Sequence, residues 1–170
     1  MDETTFWKLI EESRIMSDGQ VHLQAQLLIK RLQKLHTVDI ATFHAIYVQQ
    51  QNNAYTGELW DACNFITCGG GEQRFINFRA WLIAQGKSVY EAVVGNPDYL
   101  AKIIERKDRE DVMYEEFAYV VAEAYEQKTD RSFSTAGIFA GSPKGEPLGE
   151  KDIESRFPNL FSKLGECDEI

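Results

Sequence analysis

The sequence predicts a mainly α protein: one helical domain over residues 1–170, a bundle of roughly seven to eight helices with an irregular C-terminal segment. Three observations carry the prediction. Apolar side chains recur at three- and four-residue spacing from Phe6 to Ala124, capping residues stand between the stripes, and after Thr129 the composition shifts to Ser, Gly and Pro with no helical period.

The first stripe starts near Asp2 or Thr4, sets Phe6, Leu9 and Ile10 on one side beside Trp7, and stops near Met16. Ser17 precedes Gln20 by three positions, the spacing of a reciprocal N-terminal cap, before Val21, Ala25, Leu28, Leu32 and Leu35. Thr37 and Asp39 open a third helix with Ile40, Phe43, Ala45, Ile46 and Tyr47 as its apolar side, ahead of the polar run Gln49 to Asn53. A fourth follows Gly57 with Leu59, Cys63 and Ile66 on one face, and Gly69, Gly70 and Gly71 end it, since glycine tolerates positive φ.

The fifth helix, about Glu72 to Gln85, carries Phe75, Phe78, Leu82 and Ile83, with Gly86 at the C-terminal cap position. Ser88 to Val94 reads as one or two further turns, and Asn96-Pro97 starts another helix before Tyr99, Leu100, Ile103 and Ile104. A charged break from Glu105 to Asp111 leads to the last long helix, with Met113, Phe117, Val120, Val121 and Ala124 on its stripe and an end near Lys128. Residues 129–149, around Phe133, Ile138 and Phe139, read as an irregular loop. Residues 150–170 read as a segment that packs on the body: a short helix from Glu150 to Phe157, a break at Pro158, docking by Leu160, Phe161 and Leu164, and a fraying acidic end.

Apolar residues make up 44% of the chain and charged residues 26%, which fits a globular core and argues against wholesale disorder. Net charge is −9; residues 1–85 carry 7 basic and 9 acidic groups and residues 86–170 carry 11 and 18. No basic stripe is present to neutralise phosphates, so nucleic acid is not an expected partner. No long apolar run and no export signal are expected from Asp2 and Glu3 onward, so a cytoplasmic protein without a membrane segment is the expectation. Cys63, Cys68 and Cys167 form no C-x-x-C pair and are expected as reduced thiols.

Catalytic motifs find little support. The triple glycine lacks the lysine and hydroxyl residue of a phosphate loop, having Glu72 and Gln73 instead, and reads as a turn between helices. His22, His36 and His44 make no i, i+4 pairing with one another or with a cysteine, and no metal or cofactor is expected. Cys63 reads as a small buried hydrophobe, and no serine lies in a G-x-S-x-G elbow.

Arg79 breaks the pattern. At roughly 100° per residue it projects from the middle of the stripe formed by Phe75, Phe78, Leu82 and Ile83. A guanidinium keeps its proton, so in the interior it must meet carboxylates or carbonyls, or hold the negative charge of a ligand. Glu116, bordering the buried stripe of the last long helix, is the first candidate partner; Asp61, on the outer side of its helix, and Asp98 are weaker ones. Trp60, Trp81 and Tyr119, at helix margins, are placed to cover a charged pair or to line a small cleft. Two readings of Arg79 stand: a tie between helices, or a recognition site for an anion made with Trp60, Trp81, Glu116 and Tyr119.

Thr5-Phe6-Trp7 with Leu9-Ile10-Glu11, Leu59-Trp60-Asp61-Ala62, Gly69-Gly70, Phe78-Arg79-Ala80-Trp81-Leu82-Ile83, Pro97-Asp98, Glu116-Phe117 with Tyr119, and Phe157-Pro158 together resemble bacterial domain-of-unknown-function family 4240 (DUF4240). The stretch from Arg131 to Lys144 does not fit that pattern. The resemblance implies a helical bacterial domain and no particular activity. The expected function is a non-catalytic domain that binds another protein, of a regulatory or immunity type; the alternative is a small anionic-ligand-binding domain or enzyme centred on Arg79, with Glu116 as acid or base.

Overall fold

The computed structural model describes residues 1–135 and 142–165. Ile138, Phe139, Cys167 and the acidic end expected to fray lie outside them. The described residues are mainly α, with eight helices of seven or more residues and one isolated bridge, Thr56 to Lys144, in place of a sheet.

Helix α1 (Glu3–Met16) begins where the Asp2 carboxylate accepts from the Thr5 amide at 2.8 Å, and it buries Phe6, Trp7 and Ile10. The reciprocal cap expected at Ser17 and Gln20 does not form. Ser17 instead closes α1, its hydroxyl donating to the Arg14 carbonyl at 2.9 Å, while Asp18 and Gly19 turn the chain at positive φ. Helix α2 (Val21–Leu32) then starts from Gln20 with no side-chain cap.

Helix α3 (Thr37–Asn53) runs through the polar stretch Gln49 to Asn53 that the apolar pattern left outside it. The interior has uses for these groups: Gln50 and Gln51 are buried, and the Gln51 amide donates to the Tyr47 hydroxyl at 2.8 Å. After Thr56 caps it, helix α4 (Gly57–Thr67) exits through Cys68 and three glycines, all at positive φ, as the triple-glycine turn predicts.

Helix α5 (Gly71–Ala84) is the hub. From Phe75 to Ala84 every residue except Asn77 is buried, because α1, α3, α4, α7 (Glu115–Thr129) and the next helix, α6 (Lys87–Gly95), all pack on it. A helix hidden on all sides has no outer face, so a charged residue on it must be balanced internally. Asn96 and Pro97 start a helix as expected, but of the tighter 3-10 kind (Pro97–Lys102).

Helices α2 and α7 lie side by side and run in the same direction. Val21 and His22 meet Tyr114 and Glu116 at one end, and Gln33 meets Gln127 and Lys128 at the other.

The C-terminal segment returns over α4 and the 3-10 helix. Helices α8 (Ile153–Arg156) and α9 (Pro158–Leu164) bury Ile153, Phe157, Leu160 and Leu164. Two buried carboxylates receive this segment. Asp61 accepts from the amides of Leu148 and Gly149 at 2.7 and 2.9 Å and from Arg156 at 2.6 Å. Asp98 accepts from the amides of Asn159 and Leu160 at 3.3 and 2.8 Å, donors that open α9 and have no helical partner of their own. Asp61, which the helical wheel put on the outer side of α4, is therefore covered by a segment too distant in sequence for that wheel to register.

Asp98→Ala should lower the unfolding free energy by roughly 1–3 kcal/mol, because buried amides lose their acceptor. Chemical denaturation measures it, and an unchanged midpoint would show that these amides find water instead.

Candidate functional site

Arg79 is 1% exposed and is among the largest fully buried side chains. Its Nη1 donates to the carbonyl of Gln51 at 2.7 Å. That carbonyl lies in the last turn of α3, where main-chain oxygens lack helical donors and partial negative charge collects. The guanidinium carbon also lies 4.5 Å from the centroid of the Tyr55 ring and 4.8 Å from that of Phe75, within range of cation–π attraction.

A helix end and two aromatic faces thus stand where a carboxylate would be expected. Burial pushes the Arg79 pKa down, and the neighbouring Tyr55, Tyr47 and Glu72 push it back up. Glu72 accepts from the Tyr55 hydroxyl at 3.3 Å and makes no ion pair with the guanidinium. Among the described residues Arg79 forms no salt bridge, and its Nε has no hydrogen-bond partner.

The other residues singled out in the sequence divide into three groups. Trp60 belongs to the Arg79 environment, stacked on Phe75 at 5.2 Å and tilted against Tyr55 at 5.9 Å. Trp81 is buried against Phe78. Glu116 and Tyr119 lie on the exposed side of α7; Glu116 meets His22 Nδ1 at 2.7 Å, not Arg79, and Tyr119 is 56% exposed. The five therefore do not converge on one hollow. Two surface clefts, one beside the glycine turn at Asn64 and Phe65 and one at Tyr99 and Lys163, also leave Arg79 out of their walls.

The pattern missed Gln51, Tyr55 and Tyr90, and it read Tyr47 only as part of the apolar side of the third helix. Tyr90 donates to the carbonyl of Gln50 at 2.7 Å, so two consecutive carbonyls at the end of α3 are met by side chains from α5 and α6. The one signal for this lay in the glutamines near the end of α3, which invite burial only if something inside can bond them.

Cys63 is a buried free thiol, as its helical face suggested. The Cys68 sulfur accepts from Arg109 Nη1 at 3.0 Å. Among the described residues no cluster of three or more His, Cys, Asp or Glu could hold a metal ion, and no helix is long and apolar enough to cross a membrane.

Arg79→Ala should cost about 3–5 kcal/mol, from the cavity between the rings and the stranded Gln51 carbonyl. Arg79→Lys should recover only part of this, because an ammonium lacks the planar guanidinium surface that meets the Tyr55 and Phe75 rings. Equal stability of Arg79→Ala and the parent would disprove the tie.

Burial also raises the Cys63 thiol from its ordinary value of 9.0 to about 12. An unfolded thiol ionises first, so stability should fall as pH rises above 9, and Tyr47, Tyr90 and Tyr114, raised for the same reason, deepen the fall. Denaturation across that range should show Cys63→Ala with a shallower decline than the parent, and identical slopes would refute it.

No curated protein and no solved structure matches the chain. Residues 1–127 match the model of a family described as proteins of unknown function, DUF4240. These residues take in α1 to α6 and most of α7, with Arg79 and its ring partners among them, and the chain belongs to the DUF4240 family.

Proposed function

We propose that this chain is a protein-binding module whose docking face is the exposed side of α7. One observation carries the reading: Tyr119 stands 56% exposed with glutamates at i−4, i−3, i+4 and i+7, namely Glu115, Glu116, Glu123 and Glu126, all exposed. On a helix these positions form one stripe, about 16 Å long at roughly 1.5 Å per residue.

Among the described residues none of the four pairs with a lysine or arginine. Glu116 meets His22, Glu123 accepts from Gln127 at 2.7 Å, and Glu126 from the Phe133 amide at 3.2 Å. The partner that suits this face is a basic segment of another protein, drawn in by the carboxylates and seated on the tyrosine ring, which offers a guanidinium both an aromatic face and a hydroxyl. A rigid aromatic ringed by charge is a common anchor of protein interfaces.

Affinity capture from the source cell with the parent, with Tyr119→Arg and with the distant surface change Lys8→Glu tests this. The expected result is a partner recovered by the parent and by Lys8→Glu, lost with Tyr119→Arg, and released at about 0.5 M salt. Once purified, that partner should bind Tyr119→Ala roughly thirtyfold more weakly. Identical captured sets for the parent and Tyr119→Arg would overturn the proposal.

A further inference from the structure

The orientation of Arg79 leaves one of its edges without an acceptor. Nη1 is taken by the Gln51 carbonyl, while Nε, and with it the Nε–Nη2 edge, has no hydrogen-bond partner among the described residues. That edge is the one that grips both oxygens of a carboxylate in a planar, two-point contact. The Tyr55 and Phe75 rings lie beside the guanidinium, and Trp60 extends the aromatic wall.

A strap, residues 144–149, runs along the main chain at Tyr55 to Gly57. It is fastened through its main chain: the Lys144 amide donates to the Tyr55 carbonyl at 2.9 Å, the Gly57 amide donates to the Lys144 carbonyl at 3.0 Å, and Asp61 holds the amides of Leu148 and Gly149. Every side chain from Lys144 to Leu148 that the strap has is exposed, Leu148 at 56%. The fit is close, since a Cβ on Gly57 would stand 2.6 Å from the Gly145 carbonyl oxygen. Gly145 and Gly149, at φ +76 and +64, supply a pivot at either end.

We propose that the strap and the Tyr55 ring form a hinged lid over a carboxylate-binding site built on Arg79. Lifting the strap breaks a few main-chain hydrogen bonds and uncovers little apolar surface, so it opens far more readily than the body unfolds. It also frees the Tyr55 carbonyl, which lets the ring swing off the guanidinium. The ligand class is a small monocarboxylic acid with a flat or apolar body; Glu72, at the Tyr55 hydroxyl, repels a second negative charge. This site is separate from the α7 face, and each can fail without the other.

Amide exchange and calorimetric titration with acetate and benzoate, with inorganic phosphate as the comparison, test the lid on the whole chain. Leu148 and Gly149 amides should exchange at least roughly a hundredfold faster than those of Ala80 to Ile83, and faster still when benzoate saturates, because the ligand holds the strap open. Tyr55→Ala, which removes the cover, should bind at least about tenfold more tightly, because more of the chain is then competent to bind.

Arg79→Met should lose saturable binding; should that variant not fold, Arg79→Lys, which keeps the charge without the planar edge, should weaken it about tenfold or more. The proposal is overturned if neither carboxylate binds the parent or Tyr55→Ala, if binding survives in the Arg79 variants, if phosphate binds and the carboxylates do not, or if the strap amides exchange only on global unfolding.

Discussion

A permanent positive charge held among hydrocarbon neighbours governs the interior of this protein. The guanidinium of Arg79 meets the end of α3 and the faces of Tyr55 and Phe75, so it ties α3 and the turn after it to α5. A buried ion pair would have required a second desolvated charge, with a penalty of several kcal/mol per ion. The arrangement found avoids that second penalty by using dipoles and ring quadrupoles that the helices and the core already supply. The cluster then spreads: Tyr90 meets the preceding carbonyl, and Gln51 reaches Tyr47. Polar groups that look misplaced in the sequence thus form one connected interior set.

Much of the fold could be read from periodicity. The stripes of α1, α2, α5 and α7, the triple-glycine turn and the start at Asn96-Pro97 follow from local rules that act over three or four residues, and the structure contains each of them. Where reading failed, the deciding contact was remote. Gln50 and Gln51 belong to α3 because Arg79 and Tyr90, about 30 to 40 positions away, bond its last carbonyls. Ser17 and Gln20 had the spacing of a cap, but Ser17 was already used by the helix before it.

The site divides in the same way. That Arg79 lies inside was legible because a cation in the middle of an apolar stripe has nowhere else to point. What balances it was not legible, since a main-chain carbonyl leaves no trace in composition and the search for a partner ran through carboxylates. Asp61 and Asp98 show the converse: both were weighed as partners for Arg79, and both instead receive the amides of a segment 60 to 90 positions later, with Arg156 joining them at Asp61. Glu116 was the preferred partner because the wheel set it beside the core, yet α7 presents it outward to His22.

The way Asp61 and Asp98 hold the C-terminal segment bears on how that segment can change. At Leu148, Gly149, Asn159 and Leu160 the carboxylates grip peptide nitrogens, groups that every residue but proline possesses. The Arg156 guanidinium and the Asn159 side-chain amide also reach Asp61 and Asp98, each at 2.6 Å, so the body reads the path of the tail together with these two side chains. Between the buried anchors Ile153, Phe157, Leu160 and Leu164, new side chains can be tried on the outer surface while the tail stays moored, which makes this stretch a place where the molecule can acquire new surface chemistry at little risk to its framework.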